Sequence, residues 1–456
     1  MASEAKAEGR RADPIRRHAF ELLLRFEREL KPADALLRAR ARGAQLSPRD
    51  RAFLRELFYG VLRWRGRLDY CLGRVLGRPV ERVSLAVRVI LRLGAYQLLF
   101  LERVPPHAAV DQAVRLAAER APSAKGLVNG ALRRLAREGA GEPPPEGSEE
   151  FLSCWLSHPG WLVRRWMERL GGERARARCE ANNALPPLTF HVNPLRTEPG
   201  ALTEALAREG LRTRPGEFLP GALQLVGQGG GDFTHTEAFR QGWFYLQDEG
   251  AALCAALAGL RPGERVWDAC AAPGGKAAAL TGQLAGEGLL VASDRRPGRL
   301  GWLRENCARM GLRAALLAAD VRNPPFCKEF DCVLVDAPCS GFGVLRRHPD
   351  GKWRTAPEDM SRMAEAQVGY LVAAAAVVRP GGRLLYVVCS NEPEETEGVA
   401  AAFEAARPSF AREDPRPALC EGARAFVRPD GALELPPELA GTDGSYALRW
   451  VRRERC

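Results

Sequence analysis

The sequence contains no apolar run long enough to cross a membrane, because even residues 371–378 (LVAAAAVV) are few and rich in alanine. The first 14 residues contain no apolar segment of the kind that directs secretion. No C-x-x-C pair occurs among the 12 cysteines, and the six histidines are scattered, so the chain has no zinc-binding pattern. We therefore expect a cytoplasmic protein without a structural metal, a membrane partner or a disulfide framework.

Two common nucleotide-binding motifs are also missing from the most distinctive stretch, residues 265–276 (RVWDACAAPGGK). This stretch is typical of a buried strand, a tight turn and the start of a helix. The motif G-x-G-x-x-G cannot be placed in the turn, and G-x-x-x-x-G-K-[ST] does not occur there. Gly274 and Gly275 still allow backbone N–H groups to approach a ligand closely at the start of the helix. A turn of this kind occurs in many α/β proteins, so the residues that follow decide its meaning.

The length and the charge distribution indicate several domains. A chain of 456 residues with 46% hydrophobic and 27% charged residues is expected to form two or three globular domains. Residues 1–138 contain 29 Lys and Arg against 15 Asp and Glu, a net charge of +14 that exceeds the total of +11. This basic segment predicts a surface for phosphate groups, although arginine-rich solvated helices would give the same count.

Helical periodicity dominates residues 1–138 and predicts an all-α bundle of six or seven helices. Asp13 and Ser47 each precede a proline at the start of such a segment, as capping residues do. Residues 139–150 are rich in Pro, Gly and Glu, and we expect an exposed linker there. Residues 151–241 mix helix and strand patterns, which predicts a small α+β subdomain.

Residues 242–456 alternate between strand and helix patterns, which predicts a doubly wound, Rossmann-like α/β domain with a parallel sheet. Five predicted strands end in polar or reactive residues. These residues are Asp268, Asp294, Asp320, Asp336 and Cys389. Ligands of open α/β sheets bind beyond the carboxyl ends of the strands, so we expect these side chains to converge on one crevice. Acids that only cap the next helices would give part of the same pattern.

The types of these side chains favour S-adenosylmethionine as the ligand. Asp294, after the second strand, can accept both ribose hydroxyls, and Asp320, after the third, can accept an adenine amino hydrogen. NAD would need a pyrophosphate-binding geometry that the glycine turn does not match. The amino-acid end of S-adenosylmethionine suits the turn amides, and its sulfonium tolerates acidic neighbours.

Two cysteines at strand ends indicate the chemistry. Cys339 follows Asp336 in Asp-Ala-Pro-Cys, and Cys389 follows the fifth strand. Cytosine C5 is a poor nucleophile until a thiolate adds to C6, after which C5 can attack a sulfonium methyl group. An acid that hydrogen-bonds the base at N3, for which Asp336 is the candidate, would assist the addition. Asp-Ala-Pro-Cys also argues against amino-group methylation, which usually uses an acid or Asn, two prolines and an aromatic residue.

Either cysteine taken alone could be a buried strand residue that only packs in the core. We expect that role for three other cysteines, Cys254, Cys307 and Cys332. Spacing does not rank Cys339 and Cys389 as nucleophile and assistant, so both assignments remain open on the residues alone.

Motifs along nearly the whole chain carry a family resemblance. Residues 13–137, with YGVLRWRGRLDY and GLVNGALRRLAR, resemble NusB-type RNA-binding bundles. The rest resembles the Sun/Fmu-type 16S rRNA cytosine-C5 methyltransferases through FYLQDEG, CAAPGGK, DAPCSGFGVLRRHPDGKW and CSNEPEETE. The resemblance implies that Cys389 is the nucleophile and that Cys339 assists release of the methylated RNA. It also implies S-adenosylmethionine binding by Cys270, Ala271, Ala272, Pro273, Gly274, Gly275, Lys276, Asp294, Asp320 and Asp336.

The resemblance further implies a 16S rRNA partner, free or in a partly assembled small subunit, and we expect the protein to be a monomer. We expect a loop with Arg347, His348, Pro349 and Lys352 to face the RNA. A tRNA cytosine-C5 methyltransferase and a non-catalytic RNA-binding or antitermination-type factor remain the alternatives.

The chain departs from the family pattern at four places, none of which removes a reactive group. Val388 replaces the usual Thr before the nucleophile, and Thr396 replaces the usual Asn. Ala277 and Ala278 replace threonines after the glycine turn, and Ser445 interrupts a late glycine-aromatic motif.

Overall fold

The computed structural model describes residues 11–41, 46–227 and 233–454. These residues form two compact units. The first comprises the chain up to Ala184 together with Leu345–Thr355, and the second comprises the rest. The domain boundaries expected after residues 138, 150 and 241 stay predictions. No helix in the described ranges is long and apolar enough to span a membrane.

In its described residues the first unit contains helices and no strand. The helices are α1 (Pro14–Glu29), α2 (Ala33–Ala41), α3 (Pro48–Leu76), α4 (Leu85–Phe100), α5 (Pro106–Arg120), α6 (Lys125–Glu138), α7 (Gly160–Leu170) and α8 (Gly172–Asn183). Asp13 accepts the N–H of Arg16 at 3.0 Å and Ser47 accepts that of Asp50 at 3.1 Å, so both predicted caps are confirmed. Two helical patterns along α3 form one bent helix, because Trp64 has a φ of −106° and a ψ of 15°.

A buried ion pair ties three helices of this unit together. Arg92 on α4 is 2% exposed, and its Nε and Nη2 donate to the two carboxylate oxygens of Asp69 on α3, both at 2.7 Å. Its Nη1 donates to Glu27 on α1 at 2.8 Å. Removal of the arginine would leave two shielded carboxylates without their counter-charge, so this cluster constrains the packing of all three helices.

We expect Arg92→Met to lower the free energy of unfolding by about 3 kcal/mol, since it leaves Asp69 and Glu27 uncompensated. Chemical denaturation of the full chain measures the change. Arg134→Met is the matched control, because Arg134 forms an exposed pair with Glu138 one helical turn away and should cost less than about 1 kcal/mol. Equal losses in the two variants would contradict the prediction.

The segment Leu345–Thr355 packs within the helical unit, although its flanking residues belong to the other unit. Lys352 is fully buried, and its Nζ donates to Arg63 O at 3.3 Å, to Ser157 O at 3.1 Å and to Asn183 Oδ1 at 2.6 Å. The expectation that Lys352 faces RNA is therefore wrong. Burial lowers the pKa of its ammonium well below the usual value, and the acceptors are neutral oxygens rather than carboxylates.

The second unit begins with a small antiparallel sheet. Its strands are β1 (Thr189–Val192), β2 (Thr213–Pro215), β3 (Ala222–Leu225) and β4 (Phe244–Leu246), in the order β2-β3-β1-β4, with α9 (Pro199–Arg208) between β1 and β2. Phe190 on β1 is fully buried and packs against Phe244 on β4, with ring centroids 4.6 Å apart. Asn193 Nδ2 donates to Met310 O at 2.8 Å, which links this sheet to the adjoining α/β layer.

The larger sheet of the second unit carries the predicted strand-end residues. Its strands are β5 (Arg265–Asp268), β6 (Leu289–Asp294), β7 (Ala314–Ala318), β8 (Phe330–Asp336), β9 (Val378–Val388), β10 (Phe410–Arg412), β11 (Leu433–Leu435) and β12 (Ser445–Arg452). The order is β10-β12-β9-β8-β5-β6-β7, with β11 paired to β12. Strands β5 to β9 are parallel, whereas β10, β11 and β12 are antiparallel additions at one edge.

Helices cover both faces of this sheet. They are α10 (Glu249–Ala256), α11 (Gly275–Gln283), α12 (Pro297–Met310), α13 (Pro357–Ala375) and α14 (Glu397–Ala406). One apolar core joins Leu253, Leu280 and Leu303 to one face, and a second core joins Leu371 and Val399 to the other. The predicted α/β class is confirmed, and the mixed edge is a feature that the strand patterns did not predict.

Candidate active site

The turn between β5 and α11 has a conformation that requires glycine. Gly274 has a φ of +115°, and a Cβ atom built there would lie 2.9 Å from Leu303 Cδ1. Gly275 begins α11, and a Cβ atom there would lie 3.2 Å from the side-chain amide of Gln247. Glycine is therefore needed at both positions by the close packing of Leu303 and Gln247 against the turn, and at Gly274 also by the positive φ.

A cavity of about 420 Å³ lies beyond the carboxyl ends of the parallel strands. Residues of the predicted site that line it are Cys270, Ala272, Asp294, Asp320, Asp336, Cys339 and Cys389. The structure thus brings the acids and both thiols into one wall. Ala271, Pro273, Gly274, Gly275 and Lys276 belong to the adjoining turn and helix start rather than to the cavity wall.

The two thiols are in direct contact. The Sγ atoms of Cys339 and Cys389 lie 3.0 Å apart, and both cysteines are free thiols. The hydrogen bond to Cys389, burial and the charges of Cys389 and Glu395 raise the pKa of Cys339 well above the usual value of a thiol. The two sulphurs are therefore close enough for a proton to pass directly from one to the other.

A partly buried ion pair lies beside the thiols. Lys276 Nζ donates to Asp336 Oδ2 at 2.8 Å. Burial alone would lower the pKa of Lys276, but the Asp336 carboxylate outweighs it and raises that pKa above its usual value. The Cys389 sulphur also contributes to this rise, which places the Lys276 ammonium near the thiol pair.

Asp294 and Asp320 are both bonded to arginine side chains at the rim of the cavity. Asp294 is 5% exposed and pairs with Arg299 at 3.1 Å. Asp320 pairs with Arg322 at 2.6 Å, and this hydrogen bond lowers the pKa of Asp320. The Asp320 carboxylate is therefore held as an acceptor, the state that ribose hydroxyls or an adenine amino group would need.

Asp268, which was also expected in the crevice, is not among the residues that line the cavity. It is fully buried at the end of β5, and neither carboxylate oxygen accepts a hydrogen bond of normal geometry from the described residues. Burial and the Asp336 charge raise its pKa to about 7, a rise that Lys276 and the N–H of Cys270 oppose only in part. A buried carboxylate next to the cavity wall fits the cationic amino-acid end of S-adenosylmethionine.

Because its pKa is raised, Asp268 makes the free energy of unfolding depend on pH. Between its unfolded value of 3.8 and about 7 the folded chain binds the proton more tightly, so stability falls as pH rises through this window and levels off above it. We expect Asp268→Asn to gain on the order of 2 kcal/mol over the wild type between pH 5 and pH 8. Denaturant unfolding of both proteins without cofactor measures this difference, and parallel pH profiles would contradict it.

Glu395 is a site residue that the sequence analysis did not predict. The run of acids in residues 391–397 (NEPEETE) is typical of an exposed turn, yet Glu395 is fully buried and accepts the N–H of Ser340 at 2.8 Å. Because Ser340 follows Cys339, this hydrogen bond places Glu395 next to the loop that carries Cys339. No group of three or more His, Cys, Asp or Glu residues suited to a metal ion occurs in the described parts of the chain.

Comparisons with known proteins agree with this geometry. Residues 255–449 match the family model described as 16S rRNA methyltransferase RsmB/F, residues 13–137 match the NusB family, and residues 158–230 match the ferredoxin-like domain of RsmF/B-like methyltransferases. The solved structure of a methyltransferase homologue from Pyrococcus horikoshii is 26% identical, with a TM-score of 0.57, and covers 68% of this chain and 100% of its own.

Two curated relatives extend over most of the chain. The probable ribosomal RNA small subunit methyltransferase B of Bacillus subtilis is 35% identical over 443 residues, which cover 95% of this chain and 97% of the relative. The ribosomal RNA small subunit methyltransferase B of Pseudomonas putida is 37% identical over 412 residues, 90% of this chain and 92% of the relative. The chain therefore belongs to the RsmB/F family of 16S rRNA methyltransferases, and the family predicted from its motifs is confirmed.

Proposed function

We propose that the protein methylates C5 of a cytosine in 16S rRNA through a covalent bond between Cys389 and C6 of the base. The observation that carries the proposal is the contact between two thiols in the wall of the cavity, next to the Lys276–Asp336 pair. An enzyme that methylates a nitrogen or a ribose oxygen needs no sulphur nucleophile, whereas C5 of cytosine does.

The cofactor is S-adenosylmethionine, as the family establishes. Asp268, Asp294 and Asp320, with the glycine turn at Gly274, are the residues that would hold it. When bound, it supplies an electrophilic methyl group for C5 of the pyrimidine. Asp268 faces its cationic end in this proposal, and the two acids at the rim take the nucleoside hydroxyl and amino groups.

The side chains divide the remaining work. The Cys389 thiolate forms the bond to C6, and Lys276 stabilises the thiolate before the attack. The Asp336 carboxylate accepts a hydrogen bond from the N4 amino group of the pyrimidine and orients C6 for the attack. After methylation the C5–H bond breaks, its electron pair restores the C5–C6 double bond, and the C6–S bond breaks with its pair returned to Cys389. Cys339 gives its proton to the departing sulphur and takes up the C5 proton, and the thiol pair then loses one proton to water.

The target base must leave any duplex to reach this cavity, so we propose that it is extruded from an rRNA loop. The excess of basic residues before residue 139 supports phosphate contacts by the helical unit. A cytoplasmic location and a monomeric state complete the proposal.

Labelled methyl transfer from S-adenosylmethionine tests the function. The purified protein is incubated with deproteinised 16S rRNA, assembled small subunits or tRNA, and the labelled nucleoside is identified after digestion. We expect 5-methylcytidine from 16S rRNA. Label in another nucleoside, or in tRNA alone, would overturn the proposal, and RNA binding without cofactor uptake would favour the non-catalytic alternative. Mapping of 5-methylcytosine in rRNA from cells that lack the protein then identifies the nucleotide.

A further inference from the structure

A buried carboxylate holds the loop that carries Cys339. Glu395 ends the short helix Pro393–Glu395 after β9 and is fully buried. Its oxygens accept the N–H of Ser340 at 2.8 Å, the Oγ–H of Ser340 at 2.5 Å and the Nε2–H of Gln367 at 3.2 Å. Three donors on two oxygens satisfy the group as a carboxylate.

The residue before Cys339 is held by the same network. Gln367 on α13 is fully buried, and its Nε2 also donates to Pro338 O at 2.9 Å. Its Oε1 lies 2.8 Å from the hydroxyl of Tyr386, which is 2.7 Å from Glu395 O. Hydrogen bonds thus fix the backbone on both sides of Cys339. Gln367 binds the residue before it, and Glu395 binds the residue after it.

Burial of the Glu395 charge costs free energy of folding. Its printed donors are the neutral groups of Ser340 and Gln367, and burial of a charged carboxylate among neutral groups costs more than burial of a neutral amide. A glutamine would keep the shape without that cost. The negative charge faces Cys339 and contributes to the raised pKa of its thiol, while the Lys276 ammonium lies on the Cys389 side of the pair.

We propose that Glu395 is a positioning residue for release of the methylated base, which it serves by fixing Cys339 against the sulphur of Cys389. The inference rests on the proposed function, because release is needed only if Cys389 bonds to C6. In that step Glu395 exchanges no atom. It keeps the Cys339 proton in place until the C6–S bond breaks and that proton moves to Cys389.

The test follows covalent adduct and free product separately in a single turnover with 16S rRNA. We expect Glu395→Gln to form the adduct and transfer the methyl group within about threefold of the wild-type rate, and to release product on the order of 10²-fold more slowly, so that adduct accumulates. Glu397→Gln is the matched control, because Glu397 is partly exposed and pairs with Arg428, and it should behave as wild type.

The double variant Glu395→Gln/Cys339→Ala separates positioning from general damage. If Glu395 acts through Cys339, the double variant releases product no more slowly than Cys339→Ala alone. Additive losses, or equal losses of methyl transfer and release in Glu395→Gln, would overturn the proposal, as would release at the Glu397→Gln rate. Should Glu395→Gln fail to fold, Ser340→Ala removes one of the three hydrogen bonds, and release at the wild-type rate in that variant overturns it.

Failure of the proposed function gives a different result. A wild-type protein that forms no adduct and no 5-methylcytidine contradicts the Cys389 mechanism itself. A wild-type protein that forms both, beside a Glu395→Gln variant that releases product normally, contradicts only the role of Glu395.

Discussion

Replacement of Cys389 by alanine is expected to abolish methyl transfer and to leave binding of S-adenosylmethionine intact. Without a sulphur at this position C6 cannot be attacked, and C5 remains a poor nucleophile whatever else the cavity provides. The loss in turnover should be at least on the order of 10⁴-fold, the scale seen when a catalytic nucleophile is removed. Incorporation of labelled methyl into 16S rRNA measures the first effect, and calorimetric titration with the cofactor measures the second.

Cys307→Ala is the control for this experiment. Cys307 is a buried thiol on α12 that packs in an apolar core, and its loss should leave turnover nearly unchanged. Retained turnover in Cys389→Ala would refute the assignment of the nucleophile. Loss of cofactor binding in the same variant would show that the substitution had damaged the cavity.

Replacement of Cys339 by alanine is expected to trap the enzyme on its RNA. Cys389 can still attack C6 and the methyl group can still be transferred. The departing sulphur, however, no longer has a thiol 3.0 Å away that can donate a proton to it. Loss of such a proton donor usually costs about 10²- to 10⁴-fold in rate. The result is a protein–RNA adduct that survives denaturing electrophoresis and carries one methyl group per chain.

The double variant Cys339→Ala/Cys389→Ala assigns the adduct to its sulphur. It should form no covalent complex, whereas free release of methylated RNA by Cys339→Ala would show that the second thiol has another role. An adduct that persists in the double variant would place the bond on a different residue. The two single variants therefore have opposite signatures, one with neither adduct nor product and one with adduct alone.

The strand-end pattern could be predicted from the sequence because it depends on local chemistry. The strands β5, β6 and β8 are apolar runs that end in an aspartate, β7 is followed closely by Asp320, and the apolar end of β9 is followed by Cys389. Parallel strands bring such ends to one edge. The convergence of Asp294, Asp320, Asp336 and both thiols on one cavity follows from that rule. The glycine turn was predictable for the same reason, since backbone close to a ligand excludes a Cβ atom.

The antiparallel edge could not be predicted in the same way. β12 (SYALRWVR) has an apolar pattern suited to a strand, but nothing in its residues specifies β9 as its partner or an antiparallel direction. The pairing depends on which sheet edge is open once β5 to β9 have formed. The same limit applies to Lys352, whose charge predicts exposure until three acceptors from distant segments are known.

Glu395, which was missed, and Lys276, which only the family resemblance implied, show why ionisable site residues are hard to predict from local sequence. An acid in an acidic turn and a lysine after two glycines each have an ordinary exposed interpretation. Their partners, Ser340 and Asp336, lie 55 and 60 residues away in the chain. Only the folded chain shows that one charge faces each thiol.

The burial of Leu345–Thr355 among the first unit's helices limits how this protein can be divided. A cut after Ala184 would separate Lys352 and Trp353 from the part of the chain that holds their carbonyl acceptors. The ammonium of Lys352 and the indole N–H of Trp353 would then lose these hydrogen bonds. Replacement of the N-terminal portion by an unrelated RNA-binding domain would remove the same acceptors. A chimaera that joins this helical portion to another protein must therefore also carry the eleven-residue segment Leu345–Thr355.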